Sequence, residues 1–156
     1  MSRCVHLYDA FTGMNSGEKM ALVNFLRKHN PDQDSSIILD SIDYALKNKP
    51  SFGGFVFTCW ENSRIVAAVL VNKTGMSGSQ APYQMVYANL CLQLQEEHTI
   101  LEELIRKAIR HAKGEIGLHL KPDHPALPIF RALGFEEQYV ELRFSSPQAV
   151  PARVSS

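Results

Sequence analysis

Three places in the chain hold residue types that could do chemistry. The first is "QLQEEHTILEEL", residues 93–104, where an apolar, strand-like run passes into a strongly periodic helix. A helix start offers unpaired amides and the positive end of the helix dipole, so such junctions bind phosphates. Phosphate-binding junctions are commonly rich in glycine, which lets the backbone approach without a Cβ in the way. This one has no glycine and carries Glu96 and Glu97 instead. Thr99 and Glu102 have the spacing of a capping box, in which a Thr hydroxyl takes the N3 amide and the Glu reaches back. That arrangement would use the donors an anion needs.

The second place is "HLKPDH", with His119, Asp123 and His124. Zinc needs three or four convergent ligands. A strand residue and two loop residues lack a further partner, so no metal is expected. His119 alternates with Leu118 and Leu120 and is the histidine best placed for proton transfer. Asp123 or His124 can cap the helix that follows.

The third is the run "YQMVYANLCLQ". Tyr87 and Asn89 share one face of a strand, and Cys91 follows. No Asp or Glu occurs between Glu61 and Glu96. Asn89 cannot usefully take a proton, and Tyr87 could only with a strongly lowered pKa. A cysteine in a buried strand is ordinarily a small hydrophobe.

The elements that must position these groups follow from periodicity. "VHLYDAF" alternates as a strand. Asn15 and Glu18 form a capping box ahead of a helical stripe at Leu22, Val23, Phe25 and Leu26, stopped by Pro31. A second helix has Ile38, Ile42, Ala45 and Leu46 on one side, with Pro50 as its stop. "GGFVFTCWENSRIVAAVLVNKTG" reads as a hairpin turning at Glu61-Asn62-Ser63. "YQMVYANLCLQ" is nearly continuous in apolar residues, which predicts burial on both faces. "NKTGMSGSQ" joins two strands and lacks the spacing of a phosphate loop. The clearest helix is "TILEELIRKAIRHAKG", with Gly114 as its stop. After it come a strand "EIGLHLKP", a short helix "DHPALPIFRALGF" with Pro125 in its first turn and Gly134 at its end, and a last strand "EQYVELRF". The order β-α-α-β-β-β-α-β-α-β predicts an α/β (α+β) fold. Its sheet is mixed and mostly antiparallel, with helices on both faces.

This order, together with "IGLHLKPDHPALPIFRALGFEE", resembles the GNAT superfamily of N-acetyltransferases, whose corresponding segment is a strand, an Asn-bearing loop and "A-x-x-x-Y-x-x-x-GF". The resemblance implies the acyl-CoA N-acyltransferase fold over residues 1–156 as a single domain, with about 145–156 as a loose tail. It implies acetyl-CoA, or another acyl-CoA, as co-substrate and a small-molecule or peptide amine as acceptor. The backbone at Cys91, Leu92 and Gln93 would hold the pantetheine arm. The family's diphosphate loop, R/Q-x-x-G-x-G/A, falls on the span from Glu96 through Thr99 and Ile100 to Leu101. A carboxylate at Glu96 opposes a diphosphate by roughly 1 to 3 kcal/mol if it points inward. The family's general-acid tyrosine falls on Phe130, which has no proton to give, and its loop Asn falls on His124. Tyr87, Asn89 and His119 remain the catalytic candidates. The alternative is a catalytically silent GNAT-fold module that binds a ligand or a protein.

Composition sets the outer limits. Of the 156 residues 45% are hydrophobic and 21% charged, with a formal net charge of +0. That excess-free balance predicts neither a nucleic-acid nor a membrane partner. The basic group Arg106, Lys107, Arg110 and Lys113 is the solvated face of one helix. Three scattered cysteines, and an N-terminal "MSRCVHLYDAF" without an apolar core, predict a reduced cytoplasmic protein. A homodimer is possible by analogy with the family, with "EQYVELRF" as its strand.

Overall fold

The structure is a computed structural model and describes residues 2–47, 53–76 and 80–146. The first strand, β1 (Arg3–Tyr8), leads into α1 (Ser16–His29) and α2 (Ser35–Ala45). Then come β2 (Gly54–Glu61), β3 (Arg64–Lys73) and β4 (Tyr83–Leu90), a single 3₁₀ turn at Leu92–Leu94, α3 (His98–His111), β5 (Ile116–Gly117) and α4 (Leu127–Ala132). The five described strands form one sheet in the order β1-β2-β3-β4-β5. The first three pairings are antiparallel and β4 to β5 is parallel. The sheet is therefore mixed and mostly antiparallel, as expected.

Alternation along the strands sorts side chains to two cores. Phe55, Phe57, Val69, Val71, Met85 and Leu90 pack under α3 and α4 with Leu104, Ile105 and Phe130. Tyr8, Val56, Ala68, Leu70 and Tyr87 pack under α1 and α2 with Leu22, Leu26, Ile38 and Ile42. Helices thus cover both faces. In β4 the alternation is broken on purpose: the register shifts between Leu70 and Val71, which pair with Tyr87 and Met85. The extra residue, Val86, lets Met85 and Tyr87 enter opposite cores. This is how a nearly continuous apolar run serves both faces, with Val86 itself 38% exposed.

The local signals at the ends of α1 and the hairpin are realised. Asn15 caps α1, Glu18 completes the capping box, and Asn62 and Ser63 both adopt positive φ, as a two-residue hairpin turn requires. The end of α4 is a Schellman stop. Gly134 has φ +104, the Phe135 amide donates to the Phe130 carbonyl at 3.0 Å, and the two rings meet edge-on at 5.3 Å.

Four expectations need correction. Helix α3 begins at His98 with Glu97 at the N-cap and no side-chain cap, so the Thr99–Glu102 capping box does not form. Thr99 lies one residue inside the helix, where its hydroxyl cannot reach the N3 amide. Gly114 does not close α3, which ends at His111 as Ala112 turns extended; Gly114 instead packs against Pro82. Pro128, not Pro125, occupies the first turn of α4. "EQYVELRF" forms no strand and joins no ladder among the described residues. The expected stop at Pro50, part of the loop after β3 and most of the tail lie outside the described residues. No helix is long and apolar enough to cross a membrane among the residues described.

Candidate active site at the end of the fourth strand

The junction between β4 and α3 is built by the chain breaking its ladder. The Cys91 amide still donates to the Val66 carbonyl at 2.8 Å, and the chain then coils into the 3₁₀ turn. The Leu94 amide closes that turn on the Cys91 carbonyl at 3.0 Å. Leu92 and Gln93 precede this first i to i+3 bond, so their amides have no acceptor within the turn. Gln95 then folds back. Its side-chain amide donates to the Leu90 carbonyl at 2.6 Å and to the Cys91 carbonyl at 3.2 Å. This clamp fixes the end of β4, and nothing in the sequence pattern announces it.

Leu92, Gln93, Leu94, Gln95, Glu96 and Glu97 wall an open cavity of about 680 Å³. Glu96 and Glu97 are exposed at its edge. Arg3, at the start of β1, crosses to this edge. Its Nη2 lies 3.0 Å from Glu97 Oε2, and its Nε lies 3.4 Å from Glu61 Oε1. The sequence reading missed Arg3, because a contact across 94 positions leaves no spacing signal. Ile100 and Leu101 are buried under the sheet, so only their backbone could meet a ligand.

On the opposite face, Tyr87 and Asn89 point toward the connection between α1 and α2, as the alternation predicts. The Tyr87 hydroxyl donates to Gln33 Oε1 at 3.3 Å, and Asn89 Oδ1 accepts from Asn30 Nδ2 at 2.8 Å. Burial pushes the Tyr87 pKa up, which is the wrong direction for a base near neutral pH. His119 stands exposed beyond β5, with Nδ1 3.4 Å from Gln84 Nε2 and Nε2 3.8 Å from Glu141. It is brought to neither Tyr87 nor the cavity lining.

His124 Nδ1 accepts the Ala126 amide at 3.0 Å, a local cap ahead of α4. Phe130 is a core residue, 2% exposed. No group of three or more His, Cys, Asp or Glu side chains able to hold a metal occurs among the described residues. Cys59 is buried, Cys91 half-buried and Cys4 exposed.

No protein-family model and no curated protein sequence matches the chain. Solved structures do. The aminoglycoside N-acetyltransferase AAC(6')-Iy in complex with CoA superposes with a TM-score of 0.66 at 12% identity, over 94% of this chain and 97% of that one. The chain has the GNAT fold. The aminoglycoside 6'-N-acetyltransferase AAC(6')-IG from Acinetobacter haemolyticus shares it, with a TM-score of 0.65 and 15% identity over 90% of this chain and 97% of that one. So does a transcriptional regulator from Bacillus halodurans, with a TM-score of 0.63 and 17% identity over 92% of this chain and all of that one. A GNAT fold at such identities fixes the path of the chain and leaves the chemistry to the site.

Proposed function

We propose that the chain is an acyl-CoA-dependent N-acyltransferase that acts on a primary amine of a small molecule or peptide. One observation carries the reading. The cavity walled by residues 92–97 lies where β4 leaves the sheet and α3 begins, in a fold that holds CoA in AAC(6')-Iy. An acyl-CoA lying there would place its thioester carbonyl against the free amides of Leu92 and Gln93. The Cys91 amide, bonded to Val66, is not available for this role. The uncapped start of α3 leaves the amides of His98 and Thr99 for the diphosphate, and Arg3 supplies the cation that Glu96 does not.

The chemistry asked of the protein is modest. The amine lone pair forms the C–N bond, the C–S bond breaks, and the amine proton passes through water to the departing CoA thiolate. Amides that polarise the carbonyl, and the alignment of the two reactants, supply most of the acceleration. Asn89 and Asn30, with Tyr87 and Gln33, form a polar patch suited to orienting an amine; two of the neighbours with this fold are crystallised with an aminoglycoside or an aminoglycoside-derived bisubstrate analogue. His119 would act only if acceptor binding drew it toward the cavity.

A second reading is a GNAT-fold module that binds a ligand or a protein without acyl transfer. The buried Phe130, the carboxylate-free β4 and the exposed pair Glu96 and Glu97 favour it. Release of free CoA thiol, followed with a thiol reagent while a panel of primary amines is presented with acetyl-CoA, separates the two. Amine-dependent thiol release supports the transferase. Saturable CoA binding without release for any amine supports the silent module.

A further inference from the structure

The register of β1 on β2 gathers aromatic rings at the N-terminal end of α1. Cys4 pairs with Trp60, His6 with Thr58 and Tyr8 with Val56. Tyr8 and Val56 enter the core under α1 and α2, and Trp60 packs at its rim. By alternation Cys4 and His6 share that face. Helix α1 leaves this part of the face uncovered. An open cavity of about 470 Å³ remains, walled by Cys4, His6, Glu18 and Trp60 and by the hairpin tip at Asn62 and Ser63. Small-molecule sites ordinarily occupy about 300 to 1,000 Å³. The lining is held in place by bonds of its own. Trp60 Nε1 donates to Thr58 Oγ1 at 2.7 Å, which fixes the indole and uses up its one donor. The His6 and Trp60 rings meet edge-on at 6.2 Å, and His6 lies nearly parallel to Tyr8 at 6.0 Å. Glu18 Oε2 accepts from the Tyr8 hydroxyl at 2.9 Å, and Oε1 accepts the Asn15 amide at 3.0 Å. The carboxylate thus has a fixed position, yet it forms no ion pair among the described residues. The cations beside these positions in sequence are held elsewhere, Lys19 by Asp43 and Arg3 by Glu61 and Glu97.

We propose that this cavity binds the quaternary ammonium group of a small molecule, set against the His6 and Trp60 rings with Glu18 as its counter-ion. Aromatic faces attract a cation through the ring quadrupole, and quaternary ammonium groups are recognised in this way. An unpaired carboxylate on the same wall adds charge complementarity. A primary ammonium fits less well, because it brings three N–H donors. Both Glu18 oxygens already accept a bond, and the indole offers no acceptor. A trimethylammonium group asks only for negative potential and contact area, which the rings, the Cys4 sulfur and Glu18 provide. The site is separate from the amine patch of the proposed transferase. Helix α1 meets that patch at its other end, where Asn30 bonds Asn89.

Trp60 is the only tryptophan in the chain, so its fluorescence reports from the cavity wall itself. Choline, titrated at constant ionic strength and without acyl-CoA, should change the emission saturably. Its neutral tert-butyl isostere, in which carbon replaces the nitrogen, should bind at least tenfold more weakly, because it loses both the ring and the carboxylate attraction. Ethanolamine should also bind more weakly than choline. Glu18→Gln keeps the capping box, which takes either residue, and should weaken choline binding about three- to tenfold. His6→Leu should weaken it about threefold, and His6→Phe should not. Circular dichroism should be the same for all three variants. A change that stays linear to about 100 mM, too weak for a site, overturns the proposal. So does an isostere or ethanolamine that binds as tightly as choline, a comparison that needs no variant to fold. Unchanged affinity in folded Glu18→Gln or His6→Leu overturns it as well.

Discussion

The Arg3 guanidinium lies 3.0 Å from the Glu97 carboxylate, joining the first residue of β1 to the N-cap of α3. Both side chains are substantially exposed, so the pair adds little to stability, at most about 1 kcal/mol. Its larger consequence is electrostatic, because it holds a cation at the mouth of the cavity. Removing it with Arg3→Gln should weaken CoA binding about three- to tenfold, the effect of one unit charge at contact distance in a high dielectric. Glu97→Gln should tighten binding by a similar factor. Titration calorimetry at low and high salt checks both, and the two differences should shrink as salt rises.

The capping box at α1 is a separate test of local structure. Asn15 Oδ1 accepts the Glu18 amide at 2.7 Å, and Glu18 Oε1 accepts the Asn15 amide at 3.0 Å. Asn15→Ala should cost about 1 kcal/mol, read as a lower urea midpoint with an unchanged slope.

Gly54 and Gly134 should respond differently to alanine. A Cβ on Gly54 would stand 2.0 Å from the Val71 carbonyl oxygen, which belongs to the neighbouring strand. That backbone cannot yield without breaking the β2–β3 ladder, so Gly54→Ala should cost more than about 3 kcal/mol or abolish soluble expression. At Gly134 a Cβ meets nothing within 4 Å, and the cost is only the strained φ of +104. Gly134→Ala should lose about 1 to 2 kcal/mol and remain folded.

Tyr8 gives the fold a signature at high pH. Burial, and then its hydrogen bond to Glu18, raises its pKa from 10.0 to about 12. A raised pKa means that the folded chain holds the proton after the unfolded chain has released it. The stabilisation is therefore complete below about pH 10 and is lost as pH rises toward about 12. Wild-type stability should fall across that window more steeply than that of Tyr8→Phe. The variant should be the less stable of the two below pH 10, where the 2.9 Å bond to Glu18 is intact. Urea titrations at a series of pH values provide the comparison.

What could be read from the residues was whatever is local. Asn15 with Glu18, the Asn62-Ser63 turn and Gly134 before Phe135 each state their geometry within four residues, and each was legible. The apolar periods of α1 and α3 placed the two cores correctly. The Thr99–Glu102 spacing misled, because the 3₁₀ turn and the Gln95 clamp let α3 begin at His98, two residues early. A spacing motif cannot reveal where a preceding turn delivers the chain. Arg3 was illegible for a different reason, since its place at the cavity depends on strand order in a whole sheet. The strand pattern of "EQYVELRF" stated a preference for pairing without stating a partner.

The measurement that bears most directly on function is the melting temperature with and without acetyl-CoA. A ligand at about a hundred times its dissociation constant adds roughly 2.7 kcal/mol, several degrees for a domain of this size. With millimolar acetyl-CoA the wild type should shift upward by that amount, and Arg3→Gln should shift less. No shift at millimolar acetyl-CoA would contradict an acyl-CoA site at the end of β4.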